Sequence, residues 1–244
     1  MIRYNANMYN LYMQLCDMYM RYIIVKGVVT MARWFTIKEY RTVASATEET
    51  IIIKKSKFIS YIQPVDTEEE ALEFIDTIRK KHWDATHNCF AYVIGEHDHI
   101  QKASDDGEPS GTAGKPILEV IKKEHLKNVA IVVTRYFGGI MLGAGGLIRA
   151  YGQSAAEGIH KAGIVLKVLH TEVIATVDYT WVGKLENELH NRGYQITGTE
   201  YTDKVTFTIL AVSGEEQKLT TLLTDLTNGQ AELQRGNQLY VDLV

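Results

Sequence analysis

A chain of 244 residues, 45% hydrophobic and 23% charged, has globular composition and length enough for one large domain or two modest ones. Its formal net charge of -4 argues against a protein built to coat a polyanion. The two cysteines, Cys16 and Cys89, give neither a disulfide framework nor a metal-type spacing, which fits a reducing, cytoplasmic setting.

Residues 1–30 differ from the rest of the chain: six of the seven methionines fall between Met1 and Met31. The run from Leu11 to Val29 is interrupted by Gln14, Asp17, Arg21 and Lys26, a poor match to the ~20 apolar residues of a membrane span. Lys-Gly-Val-Val-Thr supplies no signal-peptide cleavage site. The segment reads as a non-native or disordered extension, with translation starting at Met31 and no membrane association.

From Thr50 to Val65 the chain is rich in β-formers, with Pro64 closing the run. Thr67 and Glu70 form a capping box for a helix that reaches about His82 and places Leu72, Ile75 and Ile78 at helical spacing; Arg79, Lys80 and Lys81 suit its negative end. His87 to Gly95 predicts a buried strand, followed by a hairpin and a second strand ending near Ser104. A polar loop leads into a short helix with Pro116 in its first turn. Asn128 to Phe137 is a buried strand, then a glycine-rich loop, then a helix from about Leu147 to Lys161 closed by Gly163. From about Val168 the order strand, helix, strand, strand, helix, strand predicts a ferredoxin-like βαββαβ unit, with Ser213 and Glu216 as a second capping box and Leu219, Leu222, Leu223 and Leu226 as one apolar stripe. These elements predict an α+β chain of two domains, 31–167 and 168–244. The first carries 18 basic and 18 acidic side chains, the second 5 and 11, so the second is a poor candidate for gripping a phosphate backbone.

Seven glycines concentrate in two loops that each lead into a helix: Gly107, Gly111 and Gly114, then Gly138, Gly139, Gly145 and Gly146. Helix N-termini with exposed amides bind anions, and Lys115, Arg135 and Arg149 would add full charge. Tight turns and close helix-to-sheet packing explain the same glycines equally well. Pro109 and Pro116 break a P-loop pattern, and Ile148 breaks the dinucleotide fingerprint counted from Gly143. Asp105, Asp106 and Glu108 have the donor type for a hard cation but are also ordinary loop chemistry. His97 and His99 read as a hairpin turn. His87 and Cys89 share a strand face, yet a buried, unreactive thiol is the commoner outcome.

Three stretches, Ala85-Thr-His-Asn-Cys, Ser104 to Pro116 and Arg135 to Tyr151, resemble the IMPACT/YigZ family over about Tyr40 to Gly163, and the remainder is similar to the small C-terminal domain of bacterial members. The resemblance implies a first domain with the fold of the second domain of ribosomal protein S5 and a ferredoxin-like second domain. Eukaryotic members regulate translation through protein contacts, which implies a translation-linked regulatory protein with an RNA, ribosome-associated or protein partner. Combined with the loops, the expected anion site is Lys115, Arg135, Gly138, Gly139, Gly145, Gly146 and Arg149. Asp105, Asp106, Glu108, Gly111, Thr112 and His87 support it, and neither a metal nor a cofactor is expected. The rival is a metal-dependent enzyme acting on a phosphorylated small molecule or nucleotide.

Overall fold

The computed structural model describes residues 37–243 and the backbone of two short strands, β1 (Arg21–Val25) and β2 (Val28–Ala32), which pair antiparallel. Residues 1–20, most of the segment read as an extension, lie outside the described residues. Among those described, no helix is long and apolar enough to cross a membrane.

The chain is α+β. Strands β4 (Thr47–Ile53), β5 (Ser56–Pro64), β6 (His87–Ile94), β7 (Ile100–Ser104) and β8 (Val129–Tyr136) form an antiparallel sheet in the order β4-β5-β8-β6-β7. Helix α1 (Glu68–Lys81) covers one face, packing Ala71, Phe74, Ile75 and Ile78 on Ile59, Tyr61, Phe90 and Val132. Thr67 Oγ1 caps it by accepting from the Glu70 amide at 3.2 Å, while Glu70 reaches past the cap to the Asp66 amide at 2.8 Å. Leu72 does not join this face: it is 45% exposed, and Ala71 and Phe74 take the contact expected of it.

Helices α2 (Gly114–Lys123) and α3 (Ala144–Ala162) cover the other face, with Ile117, Ile121, Leu147, Tyr151 and Ile159 over Phe58, Cys89, Ile131 and Val133. Because both faces are covered, β8 is buried along almost its whole length. Helix α3 begins three residues before the sequence-predicted Leu147 and ends, as expected, at Gly163, whose φ is +73°.

Strand β9 (Ile164–Val177) starts before Val168, where the sequence opens the second unit. Its first half pairs with β3 (Glu39–Val43) and its second half with β11 (Val205–Val212), while β12 (Glu232–Leu243) runs along its other edge. With β10 (Ile196–Tyr201) outermost, the order β10-β11-β9-β12 is all antiparallel and ferredoxin-like. Helices α4 (Val182–Asn191) and α5 (Glu216–Leu226) bury Leu185, Leu189, Leu219 and Leu223 against that sheet. The sequence-based division between 167 and 168 falls inside β9. Ser213 does not cap α5; its hydroxyl accepts from Gln238, and Glu216 takes the Gly214 amide at 2.8 Å.

Candidate functional site

The loop between β7 and α2 folds around its own carboxylates. Asp105 accepts the amides of Gly111, Ala113 and Gly114 at 2.8, 3.0 and 2.9 Å. Burial pushes its carboxyl up, but these three N–H groups outweigh that and hold it below the usual aspartate value. The N-terminus of α2 is thereby occupied by an internal anion. Thr112 Oγ1 donates to the Pro109 carbonyl at 2.6 Å, tightening the same loop.

Asp106 looks the other way: its carboxylate takes Arg79 Nη2 at 3.1 Å and the Asn88 amide at 2.6 Å, and its carbonyl accepts from His87 Nδ1 at 2.8 Å. Gly107 makes room for that imidazole, since a Cβ there would meet His87 Nδ1 at 3.3 Å with φ at +89°. Glu108 points into the core. Its Oε1 accepts from Arg135 Nη1 at 2.6 Å and Tyr151 Oη at 2.8 Å, with His87 Nε2 at 3.8 Å. The three acids thus serve three separate purposes, and among the described residues no group of three or more His, Cys, Asp or Glu is placed to hold a metal ion.

Of the sequence-predicted cations, Arg135 is 6% exposed, paired to Glu108, and lies 5.5 Å from the ring centroids of both Phe58 and Phe137. It is a core residue whose charge is already matched. Lys115 is exposed in the first turn of α2 and Arg149 in α3; no hydrogen bond or ion pair joins either to Arg135. Cys89 lies in the core, donating to the Asp105 carbonyl at 3.0 Å, and burial pushes its thiol up to about 12. It is no nucleophile.

The second glycine loop is more open. Gly138 is structural: its amide donates to Ser56 Oγ at 3.2 Å, and a Cβ would meet the Lys55 carbonyl carbon at 2.0 Å. Gly139 is exposed with φ at +81° and nothing within 4 Å of a built Cβ. Gly143 precedes α3 without a side-chain cap, and no acidic residue follows in the first turn. Gly145 and Gly146 occupy that turn, with Arg149 Nη1 3.8 Å from a Cβ built on Gly145. Ile140 and Met141, in the loop before it, are 41% and 84% exposed. A cavity of about 310 Å³ lined by Val93, Asp98, Lys122, His125 and Lys127 includes none of the sequence-predicted site residues.

Two family models match: the Impact N-terminal domain over residues 54–159 and a domain of unknown function, DUF1949, over residues 176–230. The IMPACT family member YvyE of Bacillus subtilis is 51% identical over 206 residues, spanning 84% of this chain and 95% of that protein. The chain belongs to the IMPACT family. Family member YigZ of Escherichia coli is 34% identical over 183 residues, spanning 74% of this chain and 90% of its own length. A crystal structure described as that of a hypothetical protein superposes with a TM-score of 0.55 at 30% identity, covering 81% of this chain and 97% of that one.

Sequence reasoning missed Tyr151 as the second partner of Glu108, because 43 residues separate them and the pairing exists only once α3 lies on the sheet. It also missed the exposed side chains of Ile140, Met141 and Trp83, for which local sequence offers no sign of burial or exposure.

Proposed function

We propose that this IMPACT family protein is a cytoplasmic, translation-linked regulatory protein that binds rather than catalyses, engaging an anionic, ribosome-associated partner through the loop between β8 and α3. The observation that carries the reading is the open N-terminus of α3: no side chain caps it, no acid lies in its first turn, and Arg149 stands exposed beside Gly145. A helix of 19 residues concentrates partial positive charge and free amide donors at such an end. The neighbouring Ile140 and Met141 are apolar and exposed, which suits a macromolecular surface better than a free metabolite.

The resemblance to translational regulators supports the link to translation. With 5 basic and 11 acidic side chains in residues 168–244, the second domain of the proposed pair, 31–167 and 168–244, suits a protein contact. Co-sedimentation of the full chain with ribosomes and their subunits across a salt series tests this. The expected result is salt-sensitive association that Arg149→Glu weakens without loss of fold. Arg135→Ala is the wrong probe, because it would strand the buried Glu108 carboxylate. Absence of association at every salt concentration overturns the proposal.

A further inference from the structure

A second surface lies at the same end of the first sheet, reached through the backbone contact between Gly138 and Lys55. The connection between β4 and β5 is the dipeptide Lys54-Lys55, closed by the Ile53–Ser56 pair. Both lysines are exposed and have left-handed backbones, with φ at +45° and +65°. Two-residue hairpin turns with both φ positive favour Asn-Gly, because a Cβ in that region costs roughly 1–2 kcal/mol per residue. Lysine has no short polar side chain with which to offset that strain locally. The turn carries strain and sets two charges side by side in water.

Lys57, also exposed, extends the pattern. It pairs with Ile52 on β4 and with Tyr136 on β8, so the three side chains share one face of the sheet. Ile52 is 73% exposed. Next to Tyr136 comes the turn after α1: the Tyr136 hydroxyl lies 2.9 Å from His82 Nδ1 and donates to Asp84 at 3.0 Å. Between those two residues, Trp83 is 84% exposed. Among the described residues, no side chain of Lys54, Lys55 or Lys57 makes an ion pair or hydrogen bond, whereas nearby Lys81 is neutralised by Glu48 at 3.1 Å. Asp84, the carboxylate in this row, is engaged by Tyr136.

A surface joining a bare indole to three unpaired lysines has two conceivable classes of partner. Lysine is depleted from protein–protein interfaces, where it is costly to desolvate. It is a principal means of neutralising phosphates, and an exposed ring stacks on any base that is free of a duplex. The strained turn strengthens the second choice, since Asn-Gly would form the hairpin more easily but would carry no charge. We propose that Trp83 with Lys54, Lys55 and Lys57 forms a binding surface for single-stranded nucleic acid, the indole stacking on a base while the lysines follow the backbone. The inference rests on the binding reading above and names the chemistry of its anionic partner.

The test is fluorescence anisotropy of a labelled single-stranded oligoadenylate, as RNA and as DNA, titrated with the full chain over a salt series. Trp83→Ala is expected to weaken binding about 5- to 150-fold. Replacing Lys54, Lys55 and Lys57 together by Gln is expected to flatten the logarithmic salt dependence by about 2. These side chains are exposed, so circular dichroism should report an unchanged fold. A preference between the RNA and DNA arms identifies which polymer is bound. Wild-type protein that binds neither oligomer, or Trp83→Ala that binds as well as wild type, overturns the proposal. If ribosome association sensitive to Arg149→Glu persists while neither oligomer binds, the surface proposal falls and the function proposed above stands. If oligomers bind in the expected pattern but ribosomes do not, the reverse holds. Loss of ribosome association in Trp83→Ala without any oligomer affinity in wild type would assign the surface to a partner other than a free single strand and overturn the proposal as well.

Discussion

Arg135 Nη1 lies 2.6 Å from Oε1 of Glu108, and the two side chains are only 7% and 3% exposed. The pair ties the β7–α2 loop to strand β8, and Tyr151 extends the tie to α3. Removing one member of a buried ion pair typically costs 3–5 kcal/mol, because the other is left charged in a poor solvent. Arg135→Ala should therefore lower the stability read from urea unfolding by an amount in that range. The double variant Arg135→Met with Glu108→Gln should recover much of the loss, which would separate a stranded charge from lost packing.

The three amides on Asp105 make a prediction about acid. Its carboxyl is held low in the folded protein by those donors, against the upward push of burial. A group whose folded pKa lies below its unfolded value adds stability above the unfolded value, and that stability is lost as pH falls through the folded one. The window is below about pH 4. Asp105→Asn should be less stable than wild type near neutral pH by roughly 1.5–3 kcal/mol. The gap should narrow on acidification, measured by urea unfolding at a series of pH values.

The glycines divide by what a methyl group would meet. At Gly138 it would strike the Lys55 carbonyl carbon and oxygen at 2.0 and 2.1 Å, backbone atoms that cannot step aside. At Gly145 the nearest neighbour outside the helix backbone would be the tip of Arg149 at 3.8 Å, with no positive φ to strain. Gly138→Ala should destabilise by about 1–3 kcal/mol or more. Gly145→Ala should be neutral to stabilising by up to about 1 kcal/mol, since alanine is the better helix former. Thermal unfolding of the two variants side by side checks this.

Much of the architecture was legible because its signals are local. Thr67 with Glu70 at the start of α1 and Gly163 after α3 each sit within or next to the element they define. Strand β3 was not legible: Glu39–Val43 is a strand because it pairs with Ile164–Val168, more than a hundred residues on. For the same reason the first half of β9 was missed. At the candidate site, the sequence displays charged and glycine-rich loops. Which donors were already taken depends on packing: Arg135 is spent on Glu108 and the α2 amides on Asp105, whereas Arg149 and the α3 amides are not.

Cys89 provides a chemical check on the core. Burial pushes its thiol up to about 12, so near neutral pH it stays protonated in the folded state. In a Cys16→Ser background, where Cys89 is the remaining thiol, an aromatic disulfide reagent at mildly alkaline pH should react slowly with native protein and fast after urea is added. A raised folded pKa gives stability below the unfolded value near 8.5 that is lost as pH climbs toward 12. Stability should therefore fall on the alkaline side, and less so in Cys89→Ala once its own packing loss is subtracted.

The turn at Lys54 and Lys55 sets stability against binding in one variant. Both residues occupy left-handed backbone in a two-residue hairpin, where Asn-Gly relieves strain that a long side chain cannot. Lys54→Asn with Lys55→Gly should thus raise stability by about 1–2 kcal/mol, read as a higher urea midpoint with an unchanged slope. The same change removes two charges, so affinity for a single-stranded oligomer should drop and its salt dependence should flatten by about 1.4. A variant that is more stable and binds less tightly cannot owe its defect to unfolding, and it would mark this turn as one where function holds a costlier backbone in place. If stability does not rise, the strain argument for choosing nucleic acid over protein is lost. If stability rises and oligomer affinity is unchanged, the lysines have no part in binding.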